Sequence, residues 1–118
     1  MRIEHLTVQQ KRLSSAEAEL LVFAQIEEFD ANARLGGCLV GPYCTGVETV
    51  QINYPLKPIT PPGIDEGVLV GQFVIPEPNL WTPEMPFVYE GNVELWELGK
   101  CSDTWPLRAA FKAKLNAV

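Results

Sequence analysis

The chain has 118 residues and a mass of 13.1 kDa; 47% of its residues are hydrophobic, and nine basic against fifteen acidic side chains give a net charge of −6. This length fits a single domain, residues 1–118, that buries its own core without disulfides or metals. The apolar content excludes a disordered tail, and the length excludes a barrel enzyme of about 250 residues. No apolar run reaches the roughly 20 residues of a membrane span. The acidity argues against nucleic acid and membrane surfaces as partners.

The N-terminal residues predict a strand and no export signal. Residues 3–9 alternate weakly between two sides, as a strand does. No apolar h-region or cleavage site is present, so we expect a cytoplasmic protein. The three cysteines, Cys38, Cys44 and Cys101, are an odd number that fits a reducing compartment. We therefore expect free thiols, two of them buried, although Cys38 and Cys44 are close enough in sequence to meet across a bend.

Residues 14–37 fit two structures. Ser14 and Glu17 have the spacing of a capping box, and apolar residues recur at helical intervals as far as Gly36. Periodicity alone therefore favours a helix. The run from Leu20 to Ile26 also alternates like a strand with one buried face and one face that becomes polar, and residues 30–32 then read as a hairpin turn.

The rest of the chain predicts strands separated by proline and glycine. Nine of the ten prolines lie between Pro42 and Pro86, which favours turns and edges over a helical bundle. Strands are predicted at residues 35–40, 45–54, 67–75, 87–98 and 102–114. We expect one strand to end at Gly41-Pro42 and no regular element among the prolines of residues 55–62. A turn is predicted at Gly99-Lys100 and a bulge at Gly91-Asn92.

The most specific string is IPEPNLWTPEMPFVY, residues 75–89. It resembles the P-x-x-L-W-[ST]-P-E-x-P-[FY]-[LV]-Y stretch of the immunoglobulin-like β-sandwich module of family 2 glycoside hydrolases, the β-galactosidase and β-glucuronidase group. The resemblance extends over residues 68–108. It continues through Val93-Glu94-Leu95-Trp96, Gly99, Asp103 and Pro106-Leu107-Arg108, the last with proline in place of the family's glycine.

The resemblance implies an all-β fold, an immunoglobulin-like antiparallel β-sandwich of about seven strands, which also fits the turn spacing. It decides residues 14–37 in favour of strands. In the enzymes this module spaces domains and supports the active site from outside, while two catalytic glutamates lie in a separate barrel that this chain lacks. The match is closest to stand-alone or accessory modules of bacterial proteins.

The motif also has a physical interpretation. Its members are Pro78, Leu80, Trp81, Pro83, Pro86 and Tyr89. Prolines stiffen a segment, which can then cross from one sheet to the other at low entropic cost. We expect the Leu-Trp pair to fill the open end of the core, and the tyrosine hydroxyl to find a partner in adjacent backbone.

No residue set predicts catalysis, a cofactor or a metal. His5 is the only histidine, and a Ser-His-Asp or Cys-His site would have to use it. The cysteines lack the spacing of a zinc site, and no glycine run resembles a phosphate cradle. The glutamates at positions 77, 84, 90, 94 and 97 fall in turns and on strand faces, where we expect them to be solvated.

Three tryptophans suggest an alternative function. If Trp96 and Trp105 lie on adjacent strands and both face outward, they form a flat platform for a sugar ring; otherwise they belong to the core. The sequence therefore predicts a non-catalytic β-sandwich module with a structural or protein-interaction role, and as an alternative a carbohydrate-binding module that uses Trp96 or Trp105. An unrecognised enzyme would depend on His5 or a cysteine. The partner is then a protein or a carbohydrate, and the oligomeric state stays open.

Overall fold

The computed structural model describes residues 1–112, which form eight β-strands and no helix. The strands are β1 (Arg2–Leu13), β2 (Glu17–Glu27), β3 (Ala33–Tyr43), β4 (Ile52–Pro55), β5 (Lys57–Ile59), β6 (Val68–Pro76), β7 (Val88–Glu97) and β8 (Lys100–Ala109). They make two four-stranded antiparallel sheets, sheet I in the order β1-β2-β6-β5 and sheet II in the order β4-β3-β7-β8. The predicted β-sandwich is confirmed, with eight strands rather than about seven. No helix in the described part of the chain could cross a membrane.

The core lies between the two sheets and follows the two-residue period of the strands. On β2, every second residue from Ala18 to Ile26 is at most 5% exposed. Sheet II contributes Leu39, Val93 and Leu95 to the core, each completely buried. One face of each sheet therefore supplies the core, and the other face points away from it.

The segment that fits both a helix and a strand is a pair of strands joined by a turn. The Ser14–Glu17 spacing closes a hairpin instead of starting a helix: Ser14 Oγ accepts the backbone N–H groups of Ala16 and Glu17 at 3.2 Å each. At the other end of β2, the Ala33 N–H donates to the Asp30 carbonyl at 2.9 Å, which confirms the predicted turn. The same short polar side chains cap helices and turns alike, so only the pairing partner decides.

Three boundaries around the prolines were predicted wrongly. β3 does not end at Gly41-Pro42 but continues to Tyr43. Of residues 45–54 only the last part belongs to a strand, because residues 44–47 turn back with the Val47 N–H on the Cys44 carbonyl at 3.1 Å. The proline stretch holds the short strand β5, since an edge strand pairs on one side only and tolerates proline on the other.

Leu56 is the only residue between β4 and β5, which lie in opposite sheets. Its N–H donates to the Gly37 carbonyl of sheet II at 2.9 Å. Its side chain is 7% exposed and fills the space over Gly71 of sheet I, where an added Cβ would lie 2.5 Å from a Leu56 methyl carbon. A single residue thus joins the two sheets along one side.

The hairpin of β7 and β8 also differs from the prediction. The register passes Gly91 and Asn92 without a bulge, and the irregularity lies between Leu95 and Trp96, where Ser102 is the extra residue on β8. The turn is at residues 98–99. The last strand ends at Ala109 instead of 114, and residues 113 and 114 of that prediction lie outside the described residues.

Candidate functional site

The outer face of sheet I carries an apolar cluster, which we call the apolar face. Its members are Leu21, Phe23, Ile59, Val70 and Val74, placed on one side by the register of β2, β6 and β5. Val70 lies opposite Phe23 and Ile59 and is only 4% exposed, although it points away from the core. Val74 at the border is 41% exposed. A contiguous apolar cluster on the outward face of a sheet is typical of a surface that another protein covers.

A polar group borders the apolar face. The Glu19 carboxylate is nearly buried at 6% exposure, accepts a hydrogen bond from the Gln72 amide, and lies 3.7 Å from Lys11 Nζ. Because every buried side-chain oxygen and nitrogen of the described residues has a partner, this group is satisfied within the chain. It gives the apolar face one polar edge of fixed geometry.

The proline motif crosses from β6 in sheet I to β7 in sheet II, as predicted. Pro78 is buried, whereas Pro83 and Pro86 are exposed. Tyr89 is 1% exposed, and its hydroxyl accepts the Asn79 N–H at 2.9 Å, so the expected backbone partner is present. Burial raises the pKa of Tyr89, partly offset by this hydrogen bond.

The two residues of the Leu-Trp pair occupy different positions relative to the core. Leu80 packs against the core, but Trp81 is half-buried outside it. The backbone N–H of Trp81 donates to the Phe111 carbonyl at 2.9 Å, and Lys112 Nζ lies 4.3 Å from the centre of the Trp81 indole ring. Leu80 thus behaves as predicted, while Trp81 contacts residues 111 and 112 instead of filling the core.

Trp96 and Trp105 lie on opposite faces of sheet II. Trp96 is on the outer face over Gly36, where an added Cβ would be 3.1 Å from its Nε1. Trp105 lies opposite the buried Val93 and packs against the core. The extra residue Ser102 makes the difference, because an uninterrupted hairpin would pair Trp105 with Asn92 on the outer face. The two indoles therefore do not form one platform.

A groove of about 390 Å³ lies where the outer face of sheet II meets the crossing segment. Aromatic side chains of Tyr43 and Trp81 line it together with Arg108 and Glu90, whose charged groups are 3.7 Å apart. Cys44 also lines it. Tyr43 and Trp81 are 38 positions apart and belong to different elements, so no pattern in the sequence links them.

The remaining reactive side chains are dispersed. His5 is exposed on β1, far in the fold from the groove that Cys44 lines. All three cysteines carry free thiols; Cys38 and Cys44 are half-buried and Cys101 is exposed, so the expectation of two buried thiols was wrong. Within residues 1–112 no three His, Cys, Asp or Glu side chains are grouped as metal ligands would be.

Only part of the apolar face could be predicted from the sequence. The alternation of residues 20–27 shows two apolar positions, Leu21 and Phe23, on the side opposite the core. The contributions of β5 and β6 depend on which strands pair with β2. The sequence of β2 alone therefore predicts that an apolar patch exists, but it does not predict how far that patch extends over the sheet.

Comparisons with known proteins agree with this architecture. The model of the family "Glycosyl hydrolases family 2" matches residues 1–112. The comparison with curated proteins finds no match. Among solved structures, a β-glucuronidase from glycoside hydrolase family 2 aligns with 93% of this chain at a TM-score of 0.57 and 16% identity. Bifidobacterium dentium β-glucuronidase, in complex with coumarin-3-O-glucuronide, aligns with 93% at a TM-score of 0.60 and 14% identity.

Bacteroides uniformis β-glucuronidase aligns with 90% of the chain at a TM-score of 0.53 and 18% identity. At these identities the likeness concerns the fold. The chain spans a small part of each of the three enzymes, 12%, 17% and 13% of their lengths.

Proposed function

The chain belongs to the glycosyl hydrolases family 2, and from this premise we propose that it is a non-catalytic accessory β-sandwich domain that docks on another protein through its apolar face. The observation that carries the proposal is the burial of Val70 on the outer side of sheet I. A side chain that points away from the core has no reason to be buried unless its neighbours form a second apolar layer.

The partner that fits this premise is the remainder of a family 2 glycoside hydrolase. Each of the three β-glucuronidases has a chain of which this fold is less than a fifth, so the sandwich there has other parts of the same enzyme as neighbours. Lys11, which lies 3.7 Å from the nearly buried Glu19 carboxylate at the edge of the face, is the exposed polar group available to a partner there. An apolar centre with a polar rim is the usual anatomy of such an interface.

The test is capture of a partner with the purified, tagged chain from cells that naturally contain it, followed by mass spectrometry. We expect a polypeptide that contains the catalytic part of a family 2 glycoside hydrolase. Val74→Lys places a charge on the apolar face and should weaken capture about tenfold or more. Val50→Lys is the matched control, because Val50 is 84% exposed and outside the apolar face.

Two results would contradict the proposal. One is equal capture by Val74→Lys and wild type. The other is hydrolysis of a chromogenic β-glucuronide or β-galactoside by the purified chain alone, since an accessory domain has no turnover of its own. A circular dichroism spectrum of each variant shows that the sandwich is intact.

Carbohydrate binding at Trp96 is the second candidate, favoured by the position of its indole over Gly36 with Arg34 and Glu94 on the same face. An aromatic ring held flat on a sheet and flanked by polar groups suits a sugar ring. We expect millimolar sugar to quench the tryptophan fluorescence of the wild type and of Val50→Lys but not of Trp96→Ala. Quenching that survives in Trp96→Ala would exclude Trp96 and direct attention to the groove of Tyr43 and Trp81.

A further inference from the structure

The charges around the apolar face are unlike those of the rest of the chain. Residues that pair across the strands of a sheet form a row, and the register of sheet I puts Lys57 in the row of Leu21. It puts Arg12 in the row of Glu19, whose carboxylate lies 3.7 Å from Lys11 Nζ. The rows that hold the apolar face thus carry three of the nine basic residues and only one of the fifteen acidic residues.

The other charged residues of this side of sheet I lie farther from the apolar face. Arg2 and Glu27 pair with each other two rows beyond Phe23, at the end of β1 where Glu4 also lies. Glu17 lies one row beyond the other end of the face. Outside the rows of the apolar face, the chain has six basic and fourteen acidic residues. The apolar face therefore has a basic border on an otherwise acidic protein.

Two groups of this basic border take part in no ion pair within residues 1–112. Glu19 is nearly buried next to Lys11, so these two charges compensate each other. Arg12 and Lys57 are exposed and belong to none of the ion pairs of the described residues. They lie on β1 and β5, the opposite edges of sheet I. Three interstrand spacings of about 4.8 Å put the two strands roughly 14 Å apart, with the apolar face between them.

This charge pattern restricts what can cover the apolar face. A second copy that used the same face would set one basic border against another, because a two-fold dimer pairs a surface with itself. An anionic bilayer attracts the two basic groups but repels the acidic remainder of the chain. A protein surface with an apolar centre and acidic groups at its border complements both features of the face.

We propose that the partner covers the apolar face with an apolar centre flanked by two acidic groups, which pair with Arg12 on one side and Lys57 on the other. This inference rests on the proposed function, because it concerns the same face, and it adds the chemistry of the partner's surface. Charges at the border of an interface act mainly on the association rate and its salt dependence, whereas the apolar centre acts mainly on the dissociation rate. The two kinds of contact can therefore be tested separately.

Surface plasmon resonance with the partner polypeptide identified by capture makes this separation. Arg12→Glu and Lys57→Glu, made one at a time, should each associate about fivefold more slowly than the wild type at an ionic strength of about 0.1 M, with the dissociation rate little changed. The difference should nearly vanish at about 1 M, where the Debye length is about 3 Å instead of about 10 Å. Val74→Lys should instead dissociate faster.

Lys100→Glu is the matched control, because it makes the same charge change at an exposed residue of sheet II. It should associate at the rate of the wild type. If Arg12→Glu and Lys57→Glu associate as fast as this control while Val74→Lys dissociates faster, the acidic border is wrong and the docking face stands. If Val74→Lys also binds like the wild type, or no partner is captured, both proposals are wrong.

Two further measurements address the other occupants of the face. Sedimentation velocity of the purified chain should show a monomer, and a dimer that Val74→Lys abolishes would assign the face to a second copy. Flotation with vesicles of phosphatidylserine and phosphatidylcholine should leave the chain unbound, and binding that Val74→Lys abolishes would assign the face to a membrane surface. Either result would overturn the proposal. Circular dichroism of each variant shows that a loss of binding is not a loss of fold.

Discussion

Gly91→Ala is expected to destabilise the chain by about 4 kcal/mol or more, a large part of the roughly 5–15 kcal/mol that holds a domain of this size together. A Cβ at Gly91 would lie 1.8 Å from the Cys38 carbonyl oxygen and 2.9 Å from Leu39 Cα. These are backbone atoms of β3, so no rotamer change relieves the collision. The two central strands of sheet II would have to separate locally.

Urea denaturation followed by circular dichroism measures this effect. Gly36→Ala is the matched control on the neighbouring strand, since its Cβ would meet only movable side chains, Trp96 at 3.1 Å and Glu94 at 4.0 Å. We expect that variant to lose no more than about 1–2 kcal/mol. A Gly91→Ala protein within about 1 kcal/mol of the wild type would show that β3 and β7 do not approach as closely as described.

Tyr89→Ala is expected to cost about 3–5 kcal/mol. The ring packs edge-on against Phe111 and Tyr54, with centroids 5.2 and 6.2 Å away, and Gly41 leaves the space that it occupies. Removing it leaves a cavity where the crossing segment meets sheet II. The surrounding rings are held by other contacts and can fill that cavity only partly.

Tyr89→Phe separates packing from hydrogen bonding in the same denaturation experiment. It keeps the ring and removes only the acceptor of the Asn79 N–H. We expect a loss of about 1 kcal/mol, because Asn79 is exposed and water can replace the hydroxyl. If the phenylalanine variant lost as much as the alanine variant, the ring packing would not be the main contribution of this residue.

The arrangement of strands was more predictable than their ends. The apolar alternation of residues 20–26 and the resemblance of residues 75–89 led to the correct fold. The strand prediction for residues 45–51 was wrong, because β-branched residues favour a strand only where another strand is available to pair with them. The helical spacing in residues 14–37 favours a helix only when it is considered alone, and the strands predicted there from the resemblance are correct, since pairing between β1, β2 and β6 outweighs local periodicity.

The platform of two tryptophans shows how one residue limits prediction. Trp96 and Trp105 have the parity of a shared face in a regular hairpin, and Ser102 reverses it. The Ser102 hydroxyl donates to the Leu95 carbonyl at 3.2 Å and stabilises the bulge, a contact that only the folded hairpin brings about. The same shift turns Asp103 inward, where it accepts the Ile3 N–H.

The one-residue crossing at Leu56 makes the two long sides of the sandwich mechanically different. On that side the last residue of β4 and the first residue of β5 are only two Cα–Cα steps apart, at most about 7 Å, so the sheets cannot separate further there without breaking β4 or β5. On the other side, β1 and β8 are far apart in sequence and are linked by the Ile3–Asp103 hydrogen bond. We therefore expect the sandwich to open between β1 and β8 and to pivot on Leu56, so the Leu56 amide, which donates to the Gly37 carbonyl, should exchange with deuterium more slowly than the Ile3 amide, which donates to Asp103.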